Sequence, residues 1–351
     1  MTRAWMRAML ALVCLSGLAA CGNGGGSDEP EPAAPLPVGV AARLEVSPSG
    51  GLVASTTDKR VITVRAFDAS GTEIALPTDL ALVASGTDFA LKPAANGHEL
   101  TAARLGGSTL VVARSSGLSS RPALFYAAEP AAGAVLVGDE QVRVEPSPVD
   151  PGAARGVGFR YATTLSAIGL PAAGSLLVGK GAYPIAGKVI SSKVNAAVAS
   201  DTDIVFEVVP LPTLFANLSV NAEFTPEQLK QLVVLTPKSK TASSASINRA
   251  VRRSVTGADC KGDAPALGVL TGELEATLNP QLRFEFVATI TNHQPQHLRF
   301  AAFGALEVAG KAVLNLGASV TGGVTCKATL GYIPIPITGP LSPFIAPVVP
   351  L

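Results

Sequence analysis

Between Val38 and Ala127 the chain keeps a period of two. Ala42–Ser47, Arg60–Phe67, Glu99–Ala102 and Thr109–Arg114 are short runs rich in β-branched and apolar residues, parted by turn residues such as Asp68-Ala-Ser-Gly71. Successive side chains of a strand point to opposite faces. In Arg60–Phe67, Ile62, Val64 and Ala66 therefore face one way and Val61, Thr63 and Arg65 the other. One face can pack on a core while the other meets water, the plan of a β-sandwich. The composition points the same way: 35 glycines and 27 prolines break the chain often, and charged residues make up only 15%. With 351 residues, 48% of them hydrophobic, the chain is long enough for two or three cored domains.

Two further blocks follow the first, 38–127. Pro130–Gly133 reads as a hinge, and 134–235 as a β-rich domain with strands near Gln141–Glu145, Val157–Ala162 and Asp203–Val209. Helical signals are brief here. Leu211, Leu214, Phe215 and Leu218 recur at helical spacing, and Thr225-Pro-Glu-Gln228 has the order of a capping box with proline in the first turn. Residues 236–257 are Ser-rich and basic and read as a linker or exposed loop, in which Arg249, Arg252 and Arg253 could meet anionic lipid or surface polymer. The last block, 258–351, alternates over Leu274–Leu278, Gln281–Thr291, Leu298–Ala302 and Ala312–Thr321, as antiparallel strands do. Its end, Gly331–Leu351, is apolar and studded with proline. Three readings of that end stay open: it packs along a sheet edge, the chain is truncated at Leu351, or it pairs with a partner. The expected fold class is mainly β, an N-terminal sandwich followed by two β-rich blocks with minor short helices.

The start of the chain has a different character. Arg3 and Arg7 precede an almost wholly apolar run, Ala8–Leu18, which is too short to cross a bilayer and has the form of a secretory signal. It ends in Leu18-Ala19-Ala20-Cys21, which resembles the lipobox of bacterial lipoproteins. The resemblance implies a signal peptide at 1–20, acylation of Cys21 on sulfur, and Cys21 as the new N-terminus. Residues 21–37 pass from a Gly/Ser piece to a Pro/acidic one, a flexible tether between lipid and folded body. One acyl chain binds a membrane only marginally, so lasting attachment takes more than one. Gly22 stands where the inner-membrane-retention pattern would have aspartate, which points to the outer membrane of the cell envelope.

The first block carries a second resemblance. Leu44-Glu-Val-Ser-Pro48, Ile62–Asp68 with Gly71, Ala90-Leu-Lys-Pro93 and Leu100–Ala113, with Gly106 and Gly107 before the last strand, look like a bacterial Ig-like domain of the group 2 type. At Leu80-Ala-Leu-Val83 the chain departs from the family, which usually carries tryptophan there. Such domains are mostly spacers and adhesive modules on cell surfaces, so the resemblance implies architecture more than activity.

Candidate chemistry is thin. Cys14 leaves with the signal and Cys21 takes lipid, which leaves Cys260 and Cys326 as an even pair in an oxidising compartment, expected to form a disulfide. Without Arg3 and Arg7 the 27 basic side chains become 25 against 26 acidic, a balance of −1 that does not advertise nucleic acid. Gly174-Ser-Leu-Leu-Val-Gly-Lys-Gly181 nearly matches a phosphate-cradling loop, but Gly181 stands where the magnesium-binding hydroxyl belongs, and Gly179 and Gly181 read as a β-turn. His293 and His297 are four apart, yet Pro295 lies between them, so Thr291–Gln296 reads as a polar hairpin loop rather than a zinc helix. Asp139, Glu140, Asp201 and Asp203 sit where turns also want carboxylates. No Gly-x-Ser-x-Gly occurs. The expectation is a non-enzymatic, lipid-anchored surface protein without cofactor or metal, acting as a binding, adhesion or spacer module on surface polymer or another surface protein. The alternatives are a surface-polymer hydrolase with its site in 134–351, or an assembly component using the apolar C-terminal stretch.

Overall fold

The computed structural model describes residues 39–152, 156–229, 281–304 and 337–344 in full, and 230, 234–235, 249–256, 260–262, 271–280, 305–315, 324–326, 331–334 and 348–350 by their backbone. These belong to one compact unit, Leu36–Leu351; the other, Met1–Pro35, lies outside the described residues.

The chain is mainly β. In order the strands are β1 (Arg43–Ser47), β2 (Gly50–Val53), β3 (Lys59–Phe67), β4 (Glu73–Ile74), β5 (Ala81–Ala84), β6 (Phe89–Ala94), β7 (Gly97–Ala102), β8 (Gly107–Ser115), β9 (Leu118–Ser119) and β10 (Ala123–Pro130). Next come β11 (Val135–Val137), β12 (Val142–Pro148), β13 (Arg160–Ser166), β14 (Leu176–Gly179), β15 (Ala186–Val194), β16 (Asp201–Val208), α1 (Leu211–Leu214), β17 (Phe215–Phe224), α2 (Pro226–Lys230) and β18 (Val234–Leu235). Last are β19 (Arg249–Thr256), β20 (Cys260–Gly262), β21 (Thr271–Thr291), β22 (Gln294–Asn315), β23 (Val324–Cys326), β24 (Gly331–Pro334) and β25 (Val348–Pro350).

The first block is a two-layer sandwich. One sheet runs β1-β3-β7-β6, with β4 on β3, and faces β2, β10, β8 and β5 of a larger sheet. Ile62, Phe89 and Leu100 from the first layer meet Val53, Val111 and Phe125 from the second. Along β3, Ile62 and Ala66 are fully buried while Val61 is 53% exposed, the alternation written in the sequence. Gly106 (φ +80°) turns the chain into β8, and a Cβ on Gly107 would lie 2.6 Å from that of Asp88, so this glycine pair is needed by the backbone and by space.

The larger sheet does not stop at Ala127. Its order is β19-β21-β17-β10-β8-β5, so strands from all three expected blocks share one sheet. β10 runs through Ala127, and the Ala131 amide donates to the Leu214 carbonyl at 2.8 Å in the segment read as a hinge. The sheet's core is correspondingly mixed: Leu52, Leu110, Tyr126, Val178, Phe215, Phe224, Phe284, Phe286 and Leu341 form one cluster. A six-stranded sheet, β11-β14-β15-β16-β13-β12, has a separate core around Phe159, Tyr161, Leu165, Ile204 and Phe206.

Several local expectations need correction. Leu211–Leu214 is a single helical turn, and Phe215 and Leu218 lie in strand β17, both buried. Apolar residues three and four apart fit either reading in so short a run, and pairing with β10 and β21 decides for strand. Arg249–Thr256, expected within a linker, form β19 along β21. The break expected near Pro280 is absent: β21 and β22 form one hairpin of 21- and 22-residue strands. Ile337 and Leu341 of the apolar C-terminal stretch are buried in the chain's own core. The α2 capping box is formed as read, with the Thr225 amide donating to Gln228 Oε1 at 2.9 Å and the Gln228 amide to Thr225 Oγ1 at 3.5 Å.

Candidate functional site

A polar joint lies where the sandwich meets the six-stranded sheet. The β1–β2 connection and β2 bring Ser47–Val53 against the β14–β15 connection, Lys180–Ile185, and 337–344 packs beside both. The Leu52 amide donates to the Lys180 carbonyl at 2.8 Å, and the Arg60 guanidinium donates to that same carbonyl. The Lys180 ammonium pairs with Asp58 at 2.9 Å, with side-chain exposures of 24% and 18%. On the other side the Gly339 amide donates to the Ala182 carbonyl at 2.9 Å and Thr338 Oγ1 to Ser49 O at 3.2 Å. The approach is close enough to demand glycine: a Cβ on Gly51 would lie 2.4 Å from Lys180 O, and one on Gly339 2.5 Å from Gly181 O.

Beside this joint a cleft of about 330 Å³ opens, with Glu45, Ser47 and Arg65 on the sandwich side and Asp139 and Tyr183 opposite. Its charges are already engaged. Glu45 pairs with Arg43 at 2.7 Å and Arg65 with Glu73, while both Asp139 oxygens accept from the Ala182 amide at 3.0 and 3.1 Å. Partial burial raises the Tyr183 pKa, helped by the Glu145 and Asp139 carboxylates, so its hydroxyl stays a donor. What the cleft presents to a hydrogen-bonding ligand is therefore chiefly hydroxyl, from Ser47, Ser49 and Tyr183. Nearby, Tyr126 is fully buried, its hydroxyl has no hydrogen-bond partner among the described residues, and burial raises its pKa well above the ordinary value.

The residues singled out from sequence fall in different places. Lys180 is held by Asp58, and Leu176–Gly179 of the phosphate-loop-like run is strand β14, so the lysine is part of the joint. His293 sits at the tip of the β21–β22 hairpin, where Asn292 and His293 have φ of 49° and 62°. Its amide donates to Ala216 O at 2.9 Å and its ring Nδ1 lies 2.9 Å from Pro212 O, while His297 pairs across the hairpin with Thr289. Asp203 accepts from Asn195 Nδ2 at 2.7 Å and Thr164 Oγ1 at 2.9 Å, and Asp201 from Ser200 at 3.2 Å. Among the described residues no three His, Cys, Asp or Glu side chains cluster as a metal site would require, and no helix is long and apolar enough to cross a membrane. Cys21 lies outside the described residues. Cys260 and Cys326, 66 positions apart, are direct cross-strand partners in the antiparallel pair β20–β23. The joint itself escaped the sequence reading; its signals were the doublet Gly50-Gly51 and a lysine between Gly179 and Gly181.

Comparison with known protein families, with characterised proteins and with solved structures finds no match for this chain.

Proposed function

We propose that this chain is an exported, lipid-anchored protein of the cell envelope that works as a binding, adhesion or spacer module. The observation that carries the reading is Leu18-Ala19-Ala20-Cys21, placed after a basic start and an apolar run and before a flexible tether. The cysteine register supports it independently. Directly opposed residues of an antiparallel pair have Cα atoms about 4.5–5.5 Å apart, within the range of about 4.4–6.8 Å that a disulfide takes. A Cys260–Cys326 bond fits an oxidising compartment. The Ig-like resemblance of the first block is in keeping with a spacer, and its two-layer packing supports that architecture.

The cleft beside the joint supports binding of a hydroxyl-rich surface polymer: the Ser47 and Tyr183 hydroxyls supply donors and acceptors on two walls. The anchor is tested by growing cells with labelled palmitate and fractionating them. Wild type is expected to carry label and partition with membranes, and Cys21→Ala to carry none. Unlabelled wild type in the cytosol would overturn the reading.

A further inference from the structure

Among the described residues the sheet margins are short or interrupted, and β22 has the longest unbroken run. β1, β5 and β11 have five residues or fewer, β6 contains Pro93, and β12 contains Pro146 and Pro148 and two register shifts. β19, the next longest, has eight residues and carries three arginines. Such features keep sheet edges from recruiting other chains. β22 has 22 residues; Pro295 and one register shift at Gln296 lie at its start, but from His297 to Asn315 it pairs with β21 without a shift, and it has no strand on its other side among the described residues. Leu298 and Phe300 on it are 67% and 43% exposed, on the face where Phe284, Phe286 and Ala288 are buried. The Phe300 ring stacks on Phe284 with centroids 5.8 Å apart, so the core continues to this margin and ends there.

The sequence of the margin says what would cover it. Arg299-Phe-Ala-Ala-Phe-Gly-Ala-Leu-Glu307 is self-complementary about Phe303 when read against itself antiparallel. Arg299 then stands opposite Glu307, Phe300 opposite Leu306, Ala301 opposite Ala305, and Ala302 opposite Gly304. Opposite charges and like-sized apolar residues therefore face each other at every step. Centring on Ala309 also pairs Glu307 with Lys311, but it sets Val308 against Gly310 and Leu314 against Gly304. The ladder with β21 passes Gly304 without a register shift, so the edge stays continuous through the centre.

We infer that β22 pairs antiparallel with β22 of a second copy of this chain, about a two-fold axis at Phe303. The contact is isologous and closes on itself, so it yields a dimer and not a fibre. In this register Leu298 and Phe300 stand opposite Val308 and Leu306 of the second copy.

The test uses the full-length protein in its native membrane. Two tagged copies are co-expressed, one carrying Ala301→Cys and the other Ala305→Cys, and disulfide adducts are read on non-reducing gels. The mixed pair is expected to cross-link, while either variant alone gives at least tenfold less adduct, since like positions lie four residues out of register, beyond disulfide reach. Arg299→Glu or Glu307→Arg added to both copies is expected to abolish the adduct, and both changes together to restore it. Wild type extracted in detergent should sediment as a dimer. A monomeric wild type, equal adduct in every combination, or adduct insensitive to the charge changes would each overturn the inference.

Discussion

At the scale of single residues, carboxylates held by local donors do much of the work of shaping loops. Asp68 accepts from the Ser70 hydroxyl and from the Ser70 and Thr72 amides, which lowers its pKa and fixes the turn after β3. Asp203 is held low by the Asn195 amide group first and then by the Thr164 hydroxyl, with the charge of Lys193 adding to it. A folded-state pKa below the unfolded one means stability is fully present above about pH 4, the ordinary aspartate value, and is lost as pH falls through the folded value. Asp203→Asn is therefore expected to flatten the decline in stability below about pH 4, read as urea midpoints across a falling pH series; an unchanged slope would mean that Asp203 adds nothing to acid stability. The Lys180–Asp58 pair is a different case, since both side chains are about four-fifths covered. Removing one partner leaves the other charge poorly solvated, so Lys180→Met is expected to cost about 2 kcal/mol, somewhat under the range for fully buried pairs, as a lower denaturant midpoint with unchanged slope. That pair was not legible in the sequence. Asp58 and Lys180 are 122 positions apart, and nothing local marks them as partners.

Among the elements, what was legible followed the length of the pattern. β3 has enough alternation to declare both strand and inward face, whereas β8 is buried on both faces and declares only a strand, and the Thr225–Gln228 cap was visible because all its parts lie within four residues. Leu211–Leu218 misled because a run of eight apolar-rich residues satisfies both periods until its neighbours are known. The length of β21 and β22 was hidden by Pro280, which reads as a break but is accommodated within a continuous ladder opposite Leu306. The hairpin's inner half is a core element. Phe284 and Phe286 are buried against the cluster that holds Phe215 and Phe224, whereas Phe300 lies at the margin. Phe286→Ala is expected to cost about 3–5 kcal/mol, and Phe300→Ala roughly 1 kcal/mol, since nearly half of that side chain is already in water. Equal effects in chemical unfolding would mean the hairpin does not dock as described.

For the whole molecule, the lesson is one of connection. Composition and rhythm indicated a β-rich chain in successive blocks, but they carry no information on which blocks share hydrogen bonds, because sheet pairing is non-local. β8, β17 and β21 come from three expected blocks and belong to one sheet, and Leu52, Phe215, Phe284 and Leu341 share one core. Loss of any block exposes the others' apolar faces, so calorimetry is expected to show one main unfolding transition for Leu36–Leu351; three separate transitions would contradict the shared core. The covalent state of the molecule recovered from its cells tests the proposed export and anchoring most directly. Intact-mass and peptide mass spectrometry should find a chain beginning at an acylated Cys21, with Cys260 and Cys326 joined and two hydrogens absent. A chain beginning at Met1, with Cys260 and Cys326 both freely alkylated, would contradict it.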